Sequence, residues 1–164
     1  MLSTLDTVSI VENERLKAQI LYKLGRPQDA IEVLRPMHRC ENLEKIKEEY
    51  LNVTNLLGVC YMTIGEFDKA LGYYFETSEA ASKMNDMEYV AISLKNIGIT
   101  YYKLKDYGKA LPFMLKSYST EQLLNIRNVA TPMNISLCYT NLGDYENARL
   151  LLRESISICG MIAV

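Results

Sequence analysis

Three stretches of the chain read almost alike: Leu57-Gly58-Val59-Cys60-Tyr61 leading to Ala70, Ile97-Gly98-Ile99-Thr100-Tyr101 leading to Ala110, and Ile135-Ser136-Leu137-Cys138-Tyr139 leading to Ala148. With Ala30 as a fainter fourth member, the alanines are separated by 40, 40 and 38 residues. A fixed period in this range signals a solenoid, in which each repeat is one supersecondary unit that buries its apolar face against its neighbours. Only 4 Pro and 8 Gly in 164 residues leave too few breakers for an all-β chain, so the repeat unit is helical.

Each repeat reads as two helices around a tight turn. The turns are Leu24-Gly25-Arg26-Pro27, Ile64-Gly65-Glu66-Phe67, Leu104-Lys105-Asp106-Tyr107 and Leu142-Gly143-Asp144-Tyr145. Glycine in three of them supplies the left-handed residue that ends a helix without a Cβ penalty, so the turn carrying Lys105 is expected to differ. Asp106 and Asp144 are suited to N-caps and Pro27 to a first helical position. Apolar spacing predicts first helices over 5–24, 44–64, 87–104 and 129–142, and second helices over 27–39, 67–84, 107–124 and 145–159. Pro36 and Pro112 fall inside second helices and should kink or shorten them. The expectation is a single domain over 1–164, with repeats at about 5–40, 44–84, 87–124 and 129–160.

The repeated residues make sense as a packing code. Ala18, Gly58, Gly98 and Ser136 sit where a first helix must approach a second, and Ala30, Ala70, Ala110 and Ala148 recur on the second. Tyr61, Tyr101 and Tyr139 follow the small residue by three positions and share its helical face. Phe67, Tyr107 and Tyr145 are expected to close the same core.

Several function classes find little support. A net charge of −2 without a Lys/Arg cluster argues against a nucleic-acid or anionic-membrane binder, and no apolar run approaches a membrane span. The start Met1-Leu2-Ser3-Thr4-Leu5-Asp6 lacks the basic and apolar segments of a secretory signal, which makes a cytoplasmic location the expectation. Cys40, Cys60, Cys138 and Cys159 lack metal-site or redox spacing, so no metal or other cofactor is expected, and Cys60 and Cys138 read as small buried residues. His38 and Cys40 point about 200° apart on a helix, so no thiolate and base pair is built, and His38 reads as a surface residue near a helix end. Glu48, Glu49, Glu76 and Glu79 read as solvated, and no catalytic constellation supports an enzyme.

The succession of a small residue, a Tyr three later, a turn, an aromatic and then Ala resembles the tetratricopeptide repeat family over residues 10–160. Repeat one departs from it, with Leu21 for the Tyr and Pro27 for the aromatic. The longer step resembles the repeats of bacterial peptide-responsive regulators, sensor kinases and animal polarity adapters. The resemblance implies a right-handed superhelix whose concave groove is built from first helices and binds a protein or peptide.

Carried over residue by residue, the resemblance places a candidate groove at Arg15, Gln19 and Lys23 in repeat one and at Asn55 and Val59 in repeat two. Repeat three contributes Lys95, Asn96, Ile99, Tyr102 and Lys103, and repeat four Asn134, Leu137 and Asn141. Leu16, Tyr22, Leu56, Met62, Thr63, Met133 and Thr140 fill the remaining groove positions. The family's two-carboxylate clamp does not carry over, because Leu56 stands at its central Asn and Ile92 at one of its basic residues. Asparagines can donate to and accept from an extended peptide, and Arg15, Lys23, Lys95 and Lys103 favour an acidic or C-terminal carboxylate partner, unless they are ordinary solvated lysines and arginine. A second reading makes the chain the sensory or regulatory region of a larger bacterial signalling protein: kinase, cyclase or transcription regulator. Its motive is the uncharged run Ile158-Cys159-Gly160-Met161-Ile162-Ala163-Val164, which also suits a tail that folds back or a homodimer through an uncapped last repeat.

Overall fold

The computed structural model describes residues 4–39 and 47–162, and of these the side chains from position 8 to position 160. Cys40 and residues 41–46, including the start of the helix expected over 44–64, lie outside the described residues. Among those described, eight helices and no strand are found: α1 (Thr4–Lys23), α2 (Pro27–His38), α3 (Lys47–Thr63), α4 (Phe67–Lys83), α5 (Met87–Lys103), α6 (Tyr107–Leu123), α7 (Ala130–Asn141) and α8 (Tyr145–Ile162). These bounds follow the expected pattern, apart from α8, which continues to Ile162. The chain divides into two compact units, Met1–Ala80 and Ala81–Val164.

In the first unit α1 packs on α2, α2 on α3, and α1 also touches α3. In the second, α5 packs on α6, α6 on α7 and α7 on α8, with α5 touching α7. The small residues mark the closest approaches. A Cβ at Gly58 would lie 2.5 Å from the buried Tyr74 ring. At Gly98 it would lie 2.5 Å from Met114 Cγ and 3.1 Å from the Ala110 carbonyl oxygen. Ala18, Ala30, Ala70, Ala110 and Ala148 are all buried, as the packing code requires. The second unit's core gathers Ala110, Met114, Ile135 and Cys138, with Tyr101, Tyr139 and Leu151 packed against it.

Aromatic side chains stack in register on this scaffold. Tyr61 stacks on Tyr73 at 5.5 Å, and one repeat later Tyr101 stacks on Phe113 at 5.7 Å. Tyr145 departs from expectation: it is 69% exposed rather than closing the core. Its counterpart Tyr107 packs on the Tyr102 ring at 5.2 Å, but repeat four has Thr140 where repeat three has Tyr102, so Tyr145 has no ring to meet.

The turns are more uniform than the residues suggest. In each intra-repeat turn the left-handed residue donates to the carbonyl three back and the next residue to the carbonyl five back. Gly65 bonds Met62 at 3.2 Å with Glu66 to Tyr61 at 3.0 Å, and Lys105 bonds Tyr102 at 2.9 Å with Asp106 to Tyr101 at 3.0 Å. Lys105 takes φ +61°, against +82° for Gly65 and Gly143, so the expected difference at this turn does not occur. Asn85 and Asn125 end the α4 and α6 helices in the same conformation, which a short amide side chain tolerates. Asp106 and Asp144 cap as expected, accepting from the backbone N–H of Lys109 and Asn147.

Holding a lysine left-handed costs about 1 kcal/mol that glycine avoids. Lys105→Gly is therefore expected to raise stability by roughly 0.5 kcal/mol, once glycine's freer unfolded chain is counted. Chemical denaturation reads this directly, and a loss of stability would mean that the lysine side chain holds the turn. Pro112 does not shorten α6, which matches α4 and α5 at 17 residues. The 12-residue α2 does end two positions after Pro36.

Candidate functional site

The candidate groove residues fall on α1 and α3 in the first unit and on α5 and α7 in the second. On α1, the Arg15 guanidinium donates to Glu49 of α3 at 2.7 Å, and the two side chains are 12% and 10% exposed. Arg15 also donates to Gln19 at 3.2 Å. This pair joins two first helices and withdraws Arg15 from solvent, while Lys23 stays exposed. Asn55 and Val59 are half-buried on α3, and Leu56 is buried.

The second unit also pairs the cation at this position, but with a second helix. Lys95 lies three residues before Gly98, as Arg15 lies three before Ala18, and it pairs with Glu121 of α6 at 3.4 Å, with exposures of 20% and 4%. Glu121 also accepts from Asn128 at 2.9 Å. Two of the four expected groove cations are thus held by buried carboxylates, which weakens the positive bias read from the residues alone. Ile99 and Tyr102 pack against the core with one side each. Asn141 donates to the Tyr102 hydroxyl at 3.3 Å and to the Leu137 carbonyl at 2.8 Å, which brings α5 and α7 groove residues together. Lys103, Leu137 and Asn141 are exposed, and Asn96 and Asn134 half-buried.

The second helices carry a cluster that the residues did not announce. His38 is not a simple surface residue: its Nε2 lies 2.6 Å from Glu76, and its ring stacks on Tyr50 and meets Tyr73 edge-on at 5.3 Å. The Tyr50 hydroxyl donates to the same Glu76 oxygen at 2.6 Å. Glu49 and Glu76 are therefore structural, whereas Glu48 and Glu79 are exposed as expected. A signal was available: His38 and Tyr118 lie eight residues after Ala30 and Ala110, and Glu76 and Glu154 lie six after Ala70 and Ala148. The second unit pairs Tyr118 with Glu154 in the same way.

Burial alone would push the Glu76 carboxyl up, but the hydrogen bonds from His38 and Tyr50, with the His38 charge, hold it below the ordinary 4.5. A depressed folded value stabilises the protein above the unfolded value and is lost as pH falls through the folded one. Glu76→Gln is therefore expected to cost about 1 kcal/mol at neutral pH, a figure discounted for partial exposure, and nothing once the acid is protonated. Melting curves at pH 7 and pH 3 check this; a penalty equal at both would assign it to packing.

Burial pushes the Cys60 thiol up to about 12 and the Cys138 thiol up to about 11. Neither can act as a thiolate nucleophile near neutral pH. No described helix is long and apolar enough to cross a membrane, and the described residues hold no group of three metal-ligating side chains.

Tetratricopeptide repeat family models match residues 49–120 and 133–160, together more than half of the chain. No curated protein matches it by sequence. Among solved structures, BtubC (BKLC) from P. vanneervenii superposes with a TM-score of 0.83 at 20% identity, over 93% of this chain and 64% of that one. The apo form of RapI gives 0.84 at 16% identity, over 93% and 57%. A Rap protein complexed with Competence and Sporulation Factor gives 0.81 at 15% identity, over 92% and 43%. The chain thus spans less than two thirds of each of these proteins, and at such identities the likeness is one of fold. The matched repeats, the recurrent helix pairs and their small-residue contacts together show that the chain belongs to the tetratricopeptide repeat family.

Proposed function

We propose that the chain is a non-enzymatic module that binds a protein or peptide on the face of its first helices, with α5 and α7 carrying the best-developed part. The observation behind this reading is the meeting of Tyr102 and Asn141 beside exposed Leu137 and Lys103. Amide and phenol can give and take hydrogen bonds from an extended backbone, each contributing roughly 1 kcal/mol, while Leu137 offers an apolar contact. Tetratricopeptide repeats are in general non-catalytic interaction scaffolds, which agrees. A preference for an acidic partner rests on Lys103 in this unit and on Lys23 in the other.

A peptide-library screen on the wild type, Asn96→Ala, Asn134→Ala and Leu137→Asp tests the face, with melting curves run on each variant. The expected result is a loss of five-fold or more in affinity without loss of fold. Unchanged binding in all three would move the site elsewhere.

We treat 1–164 as one domain because a single matched segment, 49–120, runs through the boundary at Ala80. Two separate unfolding transitions would overturn that. A homodimer through the fourth repeat is supported by Leu152 and Ile156, exposed one turn apart on α8. Ile156→Lys should then leave a monomer by light scattering, and a wild type monomeric at high concentration would remove the dimer. A cytoplasmic setting is supported by Cys60 and Cys138 buried as thiols. A second reading, as the regulatory region of a bacterial signalling protein, draws support from the fold shared with RapI and with the Rap protein in its complex.

A further inference from the structure

A cleft of about 470 Å³ opens in the first unit between α2, α4 and Tyr61 of α3, lined by residues other than those of the proposed binding face, and its lining is rich in cations. Arg35 and Arg39 enter it from α2 and its C-terminal cap, one turn apart, and neither forms an ion pair among the described residues. Lys69 enters from α4, lying over the Tyr61 ring at 5.5 Å and reaching Glu66 at 3.2 Å. The one carboxylate among the described lining residues, Glu76, is engaged by donors from His38 and Tyr50. Among the described lining residues cation charge therefore exceeds anion charge, and two guanidinium forks stand on one helical face.

Gly72 of α4 lines the cleft. A Cβ there would meet nothing within 4 Å, so the space above it is open. Repeats three and four place Pro112 and Leu150 at the corresponding positions. Arg35 and Arg39 correspond to Phe75 and Glu79 in repeat two and to Leu115 and Ser119 in repeat three. Neither the opening nor the paired guanidiniums are therefore features of the repeat.

We propose that this cleft is a binding site for a phosphate monoester, either a small organic phosphate or a phosphorylated side chain. A phosphate carries about −1.5 to −2 charges at neutral pH and three acceptor oxygens. Two guanidiniums can grip it bidentately and a lysine adds a point charge, whereas a carboxylate would leave cation charge unmatched. The volume lies within the roughly 300–1,000 Å³ of small-ligand sites, which leaves room for the organic part of the ester.

Isothermal titration with phenyl phosphate, O-phosphoserine, inorganic phosphate and phenylacetate tests this on the wild type, on Arg35→Gln with Arg39→Gln, and on Gly72→Leu. The expected result is binding of the esters, at least ten-fold tighter than phenylacetate, with a ten-fold loss in both variants and melting temperatures no lower than the wild type's. Preference for phenyl phosphate would point to a small organic ligand or a phosphorylated tyrosine, and preference for O-phosphoserine to a phosphorylated serine. Binding of inorganic phosphate alone, equal binding of phenylacetate, no binding, or affinity untouched in the variants would each overturn the proposal. Asn134→Ala, on the first-helix face, should leave ester binding unchanged, so the two sites fail or succeed separately.

Discussion

Gly98→Leu is expected to lower folding stability by about 3 kcal/mol, the upper part of the range for overpacked cores. A Cβ at this position would sit 2.5 Å from Met114 Cγ, 3.1 Å from the Ala110 carbonyl oxygen and 3.3 Å from the Met114 nitrogen. The first obstacle is a flexible side chain, but the other two are backbone of α6, which can yield only by moving the helix. Ala110→Leu approaches the same seam from the other side and should cost roughly 1 to 3 kcal/mol. Gly72→Ala provides the contrast, since it adds a methyl group into open space in a helix interior. It should be neutral or stabilising by up to about 1 kcal/mol, the ordinary difference in helix propensity. Urea titration of the three variants reads the order. Equal stabilities of Gly98→Leu and the wild type would show that α5 and α6 do not depend on that contact.

The features legible in the sequence are those that repeat in register. Small residues at Gly58 and Gly98, the alanines facing them and the turns at Gly25, Gly65 and Gly143 all follow from one period. Each solves the same local problem: close approach of two helices, or a left-handed residue at a helix end. Lys105 departs from that pattern without changing the turn, because glycine is sufficient for such a turn and not required. The hydrogen bonds that close the turn, Lys105 to Tyr102 and Asp106 to Tyr101, outweigh one residue's preference of about 1 kcal/mol.

Charge partners were less legible. Arg15 pairs with Glu49 and Lys95 with Glu121, 34 and 26 residues away, across helix faces whose rotation no single helix specifies. Groove positions carried from the family therefore say nothing of these partners, which occupy two of the four cations. His38 failed for a related reason: its partners Tyr50, Tyr73 and Glu76 come from two other helices. Comparing the repeats pairwise, beyond their shared positions, would have exposed the His38 to Glu76 and Tyr118 to Glu154 correspondence.

Arg15→Ala is expected to destabilise the first unit by about 3 kcal/mol, because it strips a buried carboxylate of its cation. Glu49 is 10% exposed, and the Arg15 guanidinium donates to it at 2.7 Å. The loss does not measure what the pair contributes to stability. Bringing both charges out of water has its own cost, and an apolar pair of similar volume can serve as well. Arg15→Met combined with Glu49→Leu is accordingly expected to recover most of the stability lost in Arg15→Ala, by chemical denaturation at neutral pH. The comparison also bears on binding. If the double variant is stable and still binds the partner taken by the wild type, Arg15 serves the packing of α1 on α3. If it is stable but has lost that partner, the guanidinium reaches the ligand despite its carboxylate, and the positive character of the first-helix face includes it. A double variant as unstable as Arg15→Ala would reject the unpaired-charge explanation and place the cost in the packing of the arginine's own alkyl chain.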